Sequence, residues 1–101
     1  MSLYMIAAIN VRDAEQYMLY RKGGSASLGV HGVEVLAAGV PKHVEGVLPA
    51  KLSVILKFKD REHFEKWYAS PEYQAAVPIR QASADTPFIF TLEGVHPTAE
   101  R

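Results

Sequence analysis

The segment Leu3-Tyr4-Met5-Ile6-Ala7-Ala8-Ile9-Asn10-Val11 is apolar at both alternating sets of positions. Leu3, Met5, Ala7, Ile9 and Val11 form one set, and Tyr4, Ile6 and Ala8 form the other. Successive side chains of a strand point to opposite faces, so a strand apolar on both has to be covered on both. The segment is therefore predicted as a central strand, and the chain must find two covers for it. It has no basic leader and its apolar run breaks at Asn10, so it reads as neither a signal segment nor a membrane span.

Asp13, with Gln16 three residues on, has the arrangement of a capping box and opens a helix. Tyr17, Tyr20 and Leu28 fall along one stripe of it, while Arg12, Glu15, Arg21 and Lys22 lie mostly off that stripe. Gly23-Gly24 interrupts the helix, marking either a close backbone approach or a loosened second half. Gly32 supplies the stop, and Val33 to Ala38 is a second strand ending at Gly39. A loop with Pro41, Gly46 and Pro49 leads to Lys51–Lys59, where Leu52, Val54, Leu56 and Phe58 alternate with Lys51, Ser53, Lys57 and Lys59 as a third strand. Asp60 opens a helix with Phe64, Trp67 and Tyr68 on one face, and Ser70-Pro71 starts a short third helix that Pro78 is expected to kink or end. Phe88 to Leu92 is a fourth strand, stopped at Glu93-Gly94.

The order β-α-β-β-α-β, with one extra short helix, is reinforced by an internal echo. Asp13-x-Glu15-x-Tyr17-x-x-Tyr20 and Asp60-x-Glu62-x-Phe64-x-x-Trp67 each follow an apolar strand. Two similar β-α units of this kind make an α+β, ferredoxin-like domain: four antiparallel strands with helices on one face. The domain is placed at residues 1–94, with 95–101 as a flexible tail. Helices on one face leave the other bare. Half of the 101 residues, 49%, are hydrophobic, and a chain this short hides only about 60–65% of its unfolded surface. A homodimer joined sheet to sheet is therefore predicted.

Eleven basic residues balance eleven acidic ones, leaving no basic footprint for nucleic acid or an anionic membrane surface, so neither is expected as a partner. The absence of cysteine removes disulfides and thiolate chemistry and fits a cytoplasmic location. No phosphate loop, dinucleotide turn or nucleophile elbow occurs, and no cofactor is expected. Lys51, Lys57, Lys59 and Arg61 read as a solvated or protected strand edge. His31, His43, His63 and His96 show no metal-ligand spacing, so no metal is expected. His31 falls at the end of the first helix, either as a capping side chain or as a catalytic base.

The segment richest in chemistry is Trp67-Tyr68-Ala69-Ser70-Pro71-Glu72-Tyr73, with Arg80 beyond it. Helical spacing puts Tyr73, Ala76 and Arg80 near one face. In one reading Arg80 holds a carboxylate or enolate in a cleft walled by Tyr20, Trp67, Ser70 and Tyr73. In the other, Arg80 pairs with an internal acid such as Glu72 or Glu34, and the aromatics are only core.

The string Trp67-Tyr68-x-Ser70-Pro71-Glu72-Tyr73-Gln74 followed by Arg80 resembles the domain of unknown function 1330 family. The early Asp13-x-Glu15-x-Tyr17-x-x-Tyr20, Gly32, Gly39, Glu45-Gly46 and Glu93-Gly94 also stand where similar members have them. Such members tend to carry a Gly-Gly pair and an arginine around the second strand, where this chain has Gly32-Val33 and Leu36-Ala37-Ala38-Gly39-Val40. The resemblance implies a dimeric α/β barrel, in which two ferredoxin-like subunits join their sheets. Relatives of that architecture include cofactor-free oxygenases, isomerases of small cyclic acids, haem enzymes and members with no assigned activity. The leading expectation is a homodimer that binds a small carboxylate or aromatic molecule between helices and sheet. Cofactor-free oxygenase or isomerase chemistry and a non-catalytic dimeric module are the alternatives.

Overall fold

A computed structural model describes residues 2–95. The elements run β1 (Leu3–Val11), α1 (Ala14–His31), β2 (Glu34–Gly39), β3 (Leu52–Phe58), α2 (Arg61–Tyr68), α3 (Pro71–Gln74), α4 (Val77–Ser83) and β4 (Ala84–Glu93). The strands form one sheet in the order β2-β3-β1-β4, every pairing antiparallel, with the helices stacked on one face. This is the ferredoxin-like arrangement, and β1 lies inside the sheet between β3 and β4. Apart from Val95, the tail assigned to 95–101 lies outside the described residues. Among the described residues, no helix is long and apolar enough to cross a membrane.

Local signals set the boundaries. The Asp13 carboxylate accepts from the Gln16 backbone N–H at 3.1 Å, capping α1, while the Asp13 N–H donates to Ser83 O and ties the helix start to the end of α4. Gly32 ends α1 in the left-handed conformation at φ 63, which a side chain would oppose. Asp60 caps α2 through His63 N–H, and Ser70 caps α3 through Tyr73 N–H. Two expectations shift. The helical path breaks at Ala75–Ala76, and Pro78 sits in the first turn of α4, where its missing N–H and fixed φ are harmless. The fourth strand begins at Ala84 and carries Pro87 within it, which an edge strand tolerates because one of its sides has no ladder partner.

The register assigns the faces. Met5 pairs with Leu56 and Thr91, and Ala7 with Val54 and Ile89, so the odd-numbered residues of β1 look toward the helices with these partners. Ile6 pairs with Ile55 and Phe90, and Ala8 with Phe88, on the face that carries no helix. Beneath the helices the core divides into two clusters. Leu3, Met5, Leu56, Phe58, Trp67 and Tyr73 form the larger, and Ile9, Tyr17 and Ala84 the smaller.

Candidate functional site

A cavity of about 690 Å³ lies between α1 and the sheet and borders both core clusters. Its existence follows from small side chains where two layers meet. The buried face of α1 is Tyr17, Gly24 and Ser27, and the sheet beneath contributes Ala7, Ala38 and Gly39 to the wall. The helix therefore stands over the sheet without filling the space, whose remaining walls are largely aliphatic, with Leu28, Leu52, Val54 and Ile89 among them. Gly24 is a void-maker: a Cβ there would meet only the Tyr20 ring, at 3.8 Å.

At this cavity the protein places a buried cation. Arg80 on α4 is 5% exposed. Its Nη1 donates to Thr86 Oγ1 at 2.8 Å, and its guanidinium carbon lies 5.8 Å from the centroid of the Tyr20 ring. Its Nε is buried with no acceptor. Among the described residues, ion pairs join Arg12 to Asp85, His31 to Glu72 and Lys66 to Glu62, and none reaches Arg80. Burial opposes the charge, but the phenol oxygens of Tyr73 and Tyr20 outweigh it, raising the Arg80 pKa above the usual arginine value. The group stays a cation.

Tyr20 and Tyr73 meet through their hydroxyls at 2.9 Å, with their rings edge to face. Tyr17 packs on Tyr20 with centroids 5.4 Å apart, and Trp67 lies 4.2 Å from Tyr73. Burial, then the Tyr73 neighbour and its hydrogen bond, push the Tyr20 phenol well above its ordinary value despite Arg80. Burial also raises Tyr17, against the pull of Arg21. Both phenols are therefore neutral at physiological pH. Among the described residues, the lining contains no histidine, aspartate or glutamate.

Of the residues singled out from sequence, Tyr20, Trp67, Tyr73 and Arg80 come together on this cavity. Ser70 and His31 are placed elsewhere. The Ser70 hydroxyl accepts from Tyr73 N–H and donates to Trp67 O, joining α2 to α3, and so holds two cavity residues without lining the cavity. The His31 ring bonds Glu72 Oε1 at 2.7 Å, tying the end of α1 to α3, so Glu72 is engaged there and not with Arg80. His63 is engaged too: its Nδ1 accepts from Lys59 N–H at 3.0 Å and its Nε2 faces His31 O at 2.6 Å, partners that fix the proton on Nε2. Among the described residues, no three His, Asp or Glu side chains cluster as a metal site would require.

Sequence reasoning passed over Tyr17, Gly24 and Thr86 as site residues. Tyr17 was visible, one turn before Tyr20 on the same stripe. Thr86 carried no signal, because its contact with Arg80 depends on the turn from α4 into β4. Ser27 is a further hidden link. It accepts from Trp67 Nε1 at 3.0 Å and donates to Gly24 O at 2.6 Å, fixing the indole under α1.

The chain is similar in fold to several solved structures. A protein of unknown function from Rhodopseudomonas palustris matches with TM-score 0.78 and 20% identity over 95% of this chain and 84% of that one. SnoaB, a cofactor-independent oxygenase from Streptomyces nogalater, matches with TM-score 0.69 and 9% identity over 98% of each chain. A dimeric ferredoxin-like protein of unknown function from Thermobifida fusca matches with TM-score 0.66 and 16% identity over 93% of this chain and 92% of that one. At such identities the likeness is one of fold. No curated protein matches the chain. A family model, Domain of unknown function (DUF1330), matches residues 2–95, and the chain belongs to that family.

Proposed function

We propose that the protein binds a small organic anion in the cavity, with its charge at Arg80 and its carbon frame between the aromatic and aliphatic walls. The observation that carries this reading is the buried guanidinium: it borders a cavity and has no carboxylate partner among the described residues. A charge withdrawn from water costs several kcal/mol unless it is compensated, and here the protein supplies one hydroxyl and neutral phenols. A ligand anion completes the compensation. The volume lies within the range of small-molecule sites, roughly 300–1,000 Å³, and mostly apolar walls with a few convergent polar groups are what such sites use. The test is a thermal-shift screen of small carboxylates and hydroxyaromatics, since a ligand selective for the folded state raises its stability. Acids are expected to raise the melting temperature of the wild type and not of Arg80→Gln. Equal shifts in both proteins would remove Arg80 from the reading.

A second reading is catalysis on the same ligand. Arg80 beside the Tyr20–Tyr73 hydroxyl pair suits an enolate or phenolate oxygen, and the similar fold of the oxygenase SnoaB supports it. Among the described residues, the lining offers no carboxylate or imidazole to remove a proton, and such a substrate would ionise under the influence of Arg80. An isomerase would meet the same want of a base among the described lining residues, and His31, bonded to Glu72, is not one of them. Oxygen uptake on adding an acidic hydroxyaromatic would support the catalytic reading, and binding without turnover would leave a binding protein.

We further infer that the working unit is a homodimer joined through the helix-free face of the sheet. Phe90 and Leu92 on β4 are 44% and 57% exposed there, beside Tyr4, Ile6 and Ile55. The dimeric state of the similar Thermobifida fusca protein is consistent with it.

A further inference from the structure

We infer that the anion taken by Arg80 is a planar carboxylate gripped by two N–H groups at once, and that Thr86 is the positioning residue that presets the guanidinium for it. The inference rests on the binding reading above and narrows its ligand class. A guanidinium has five N–H donors in one plane. Among the described residues, one acceptor is engaged with it, Thr86 Oγ1 at Nη1, and Nε is buried with none. Of the aromatic neighbours, Tyr20 presents its ring to the guanidinium, and the Tyr73 hydroxyl, which helps to hold the charge on Arg80, is itself engaged with Tyr20. So the deficit is one of acceptors: five donors meet one bonded oxygen. A phenolate or enolate brings a single oxygen, whereas a carboxylate brings two in a plane and meets two parallel N–H groups.

Thr86 gives the plane its orientation. A guanidinium at the end of a four-torsion side chain spreads over many orientations unless something other than the ligand holds it. Thr86 sits on β4, three residues past the end of α4, and its 2.8 Å bond pins one corner of the group from the strand side. The face of the Tyr20 ring limits it on another. With one corner and one face held, less freedom is lost when a two-oxygen ligand arrives.

The test compares a two-oxygen head with a one-oxygen head at equal charge: 4-nitrobenzoate against 4-nitrophenolate, and 4-cyanobenzoate against 4-cyanophenolate, at about pH 9 where all four are anions, by calorimetry. Wild type is expected to bind the carboxylates about tenfold more tightly than the phenolates, against the order of their basicity. Arg80→Lys keeps the charge and loses the paired donors, and should weaken carboxylate binding about tenfold or more. Thr86→Val, isosteric and suited to a strand, should weaken carboxylates severalfold at unchanged near-ultraviolet dichroism, and Thr86→Ser should restore them. If Arg80→Lys binds the carboxylates as wild type does, or the phenolates bind equally well, the two-pronged grip is wrong while the anion site stands. If Thr86→Val binds as wild type, the positioning role is wrong. If wild type binds none of the four acids, the binding reading falls and this inference with it.

Discussion

Two hydroxyls 2.9 Å apart share one hydrogen bond, so one of the Tyr20 and Tyr73 protons is free to point at a ligand. The pair does this only while it stays protonated. Tyr20 is raised by burial and by Tyr73, and Tyr17 by burial, relative to an unfolded phenol near 10. A raised folded value means that the stability these groups permit is fully present below about pH 10 and is lost as the pH climbs from there toward the folded value. Ultraviolet titration of tyrosinate should show Tyr17 and Tyr20 ionising late, together with alkaline unfolding. Tyr20→Phe should reduce the late group to one and make the loss of stability above pH 10 shallower. Ionisation of Tyr17 and Tyr20 near pH 10 in the folded protein would contradict the burial argument. At this scale the sequence was readable where residues carry their own chemistry. Tyr20, Trp67, Tyr73 and Arg80 stood out as aromatics and a cation along a helical face. Thr86 did not, because a threonine becomes informative only when a fold brings it to a guanidinium.

At the level of elements, the site depends on what α1 leaves out. The paired glycines of α1 were open to two interpretations from sequence, and the structure gives them different roles. A Cβ at Gly23 would meet Ala76 Cβ at 3.5 Å, ordinary packing where α1 passes the α3–α4 junction, whereas Gly24 borders the cavity. Each glycine costs a helix about 1 kcal/mol relative to alanine. Gly23→Ala and Gly24→Ala should therefore both raise the melting temperature, and only Gly24→Ala should also reduce the thermal shift produced by a bound acid. Equal ligand responses in the two variants would detach the glycine from the cavity. Ser27→Ala should act in the opposite direction. It leaves the buried Trp67 N–H without an acceptor and should cost about 1–3 kcal/mol in chemical denaturation. Periodicity and capping residues made α1, β2, β3 and α2 legible to within a residue or two. The α3–α4 path was less so, because a proline marks either the end of one helix or the first turn of the next. Arg80 nevertheless lands near Tyr73, since Ala75 and Ala76 keep right-handed helical angles across the break.

The molecule as a whole is a slab of 47 × 37 × 16 Å, thin because it is one layer of helices on one sheet. The two apolar faces of β1 that opened the reading of the sequence are thus treated unequally. Helices cover Leu3, Met5 and Ala7, while Ile6 faces a surface completed by Tyr4, Ile55, Phe90 and Leu92. Ala8 is fully buried on that same side, in register with Phe88, so the strand is partly shielded by its own neighbours, but the outer aromatics have no cover of their own. Adjacent Phe88 and Phe90 rings, 5.3 Å apart, extend the patch along β4. A contiguous apolar face of this kind is where a second copy gains most by docking. Light scattering on a sizing column should give twice the chain mass, and Phe90→Lys with Leu92→Lys, which sets four like charges across a twofold interface, should give a monomer. The residues that line the cavity lie on the opposite side of the sheet. The lysine variant is therefore expected to keep its affinity for acids while losing its partner. Loss of both together would mean that the second chain reaches the site, and that the two sides of the sheet act as one device.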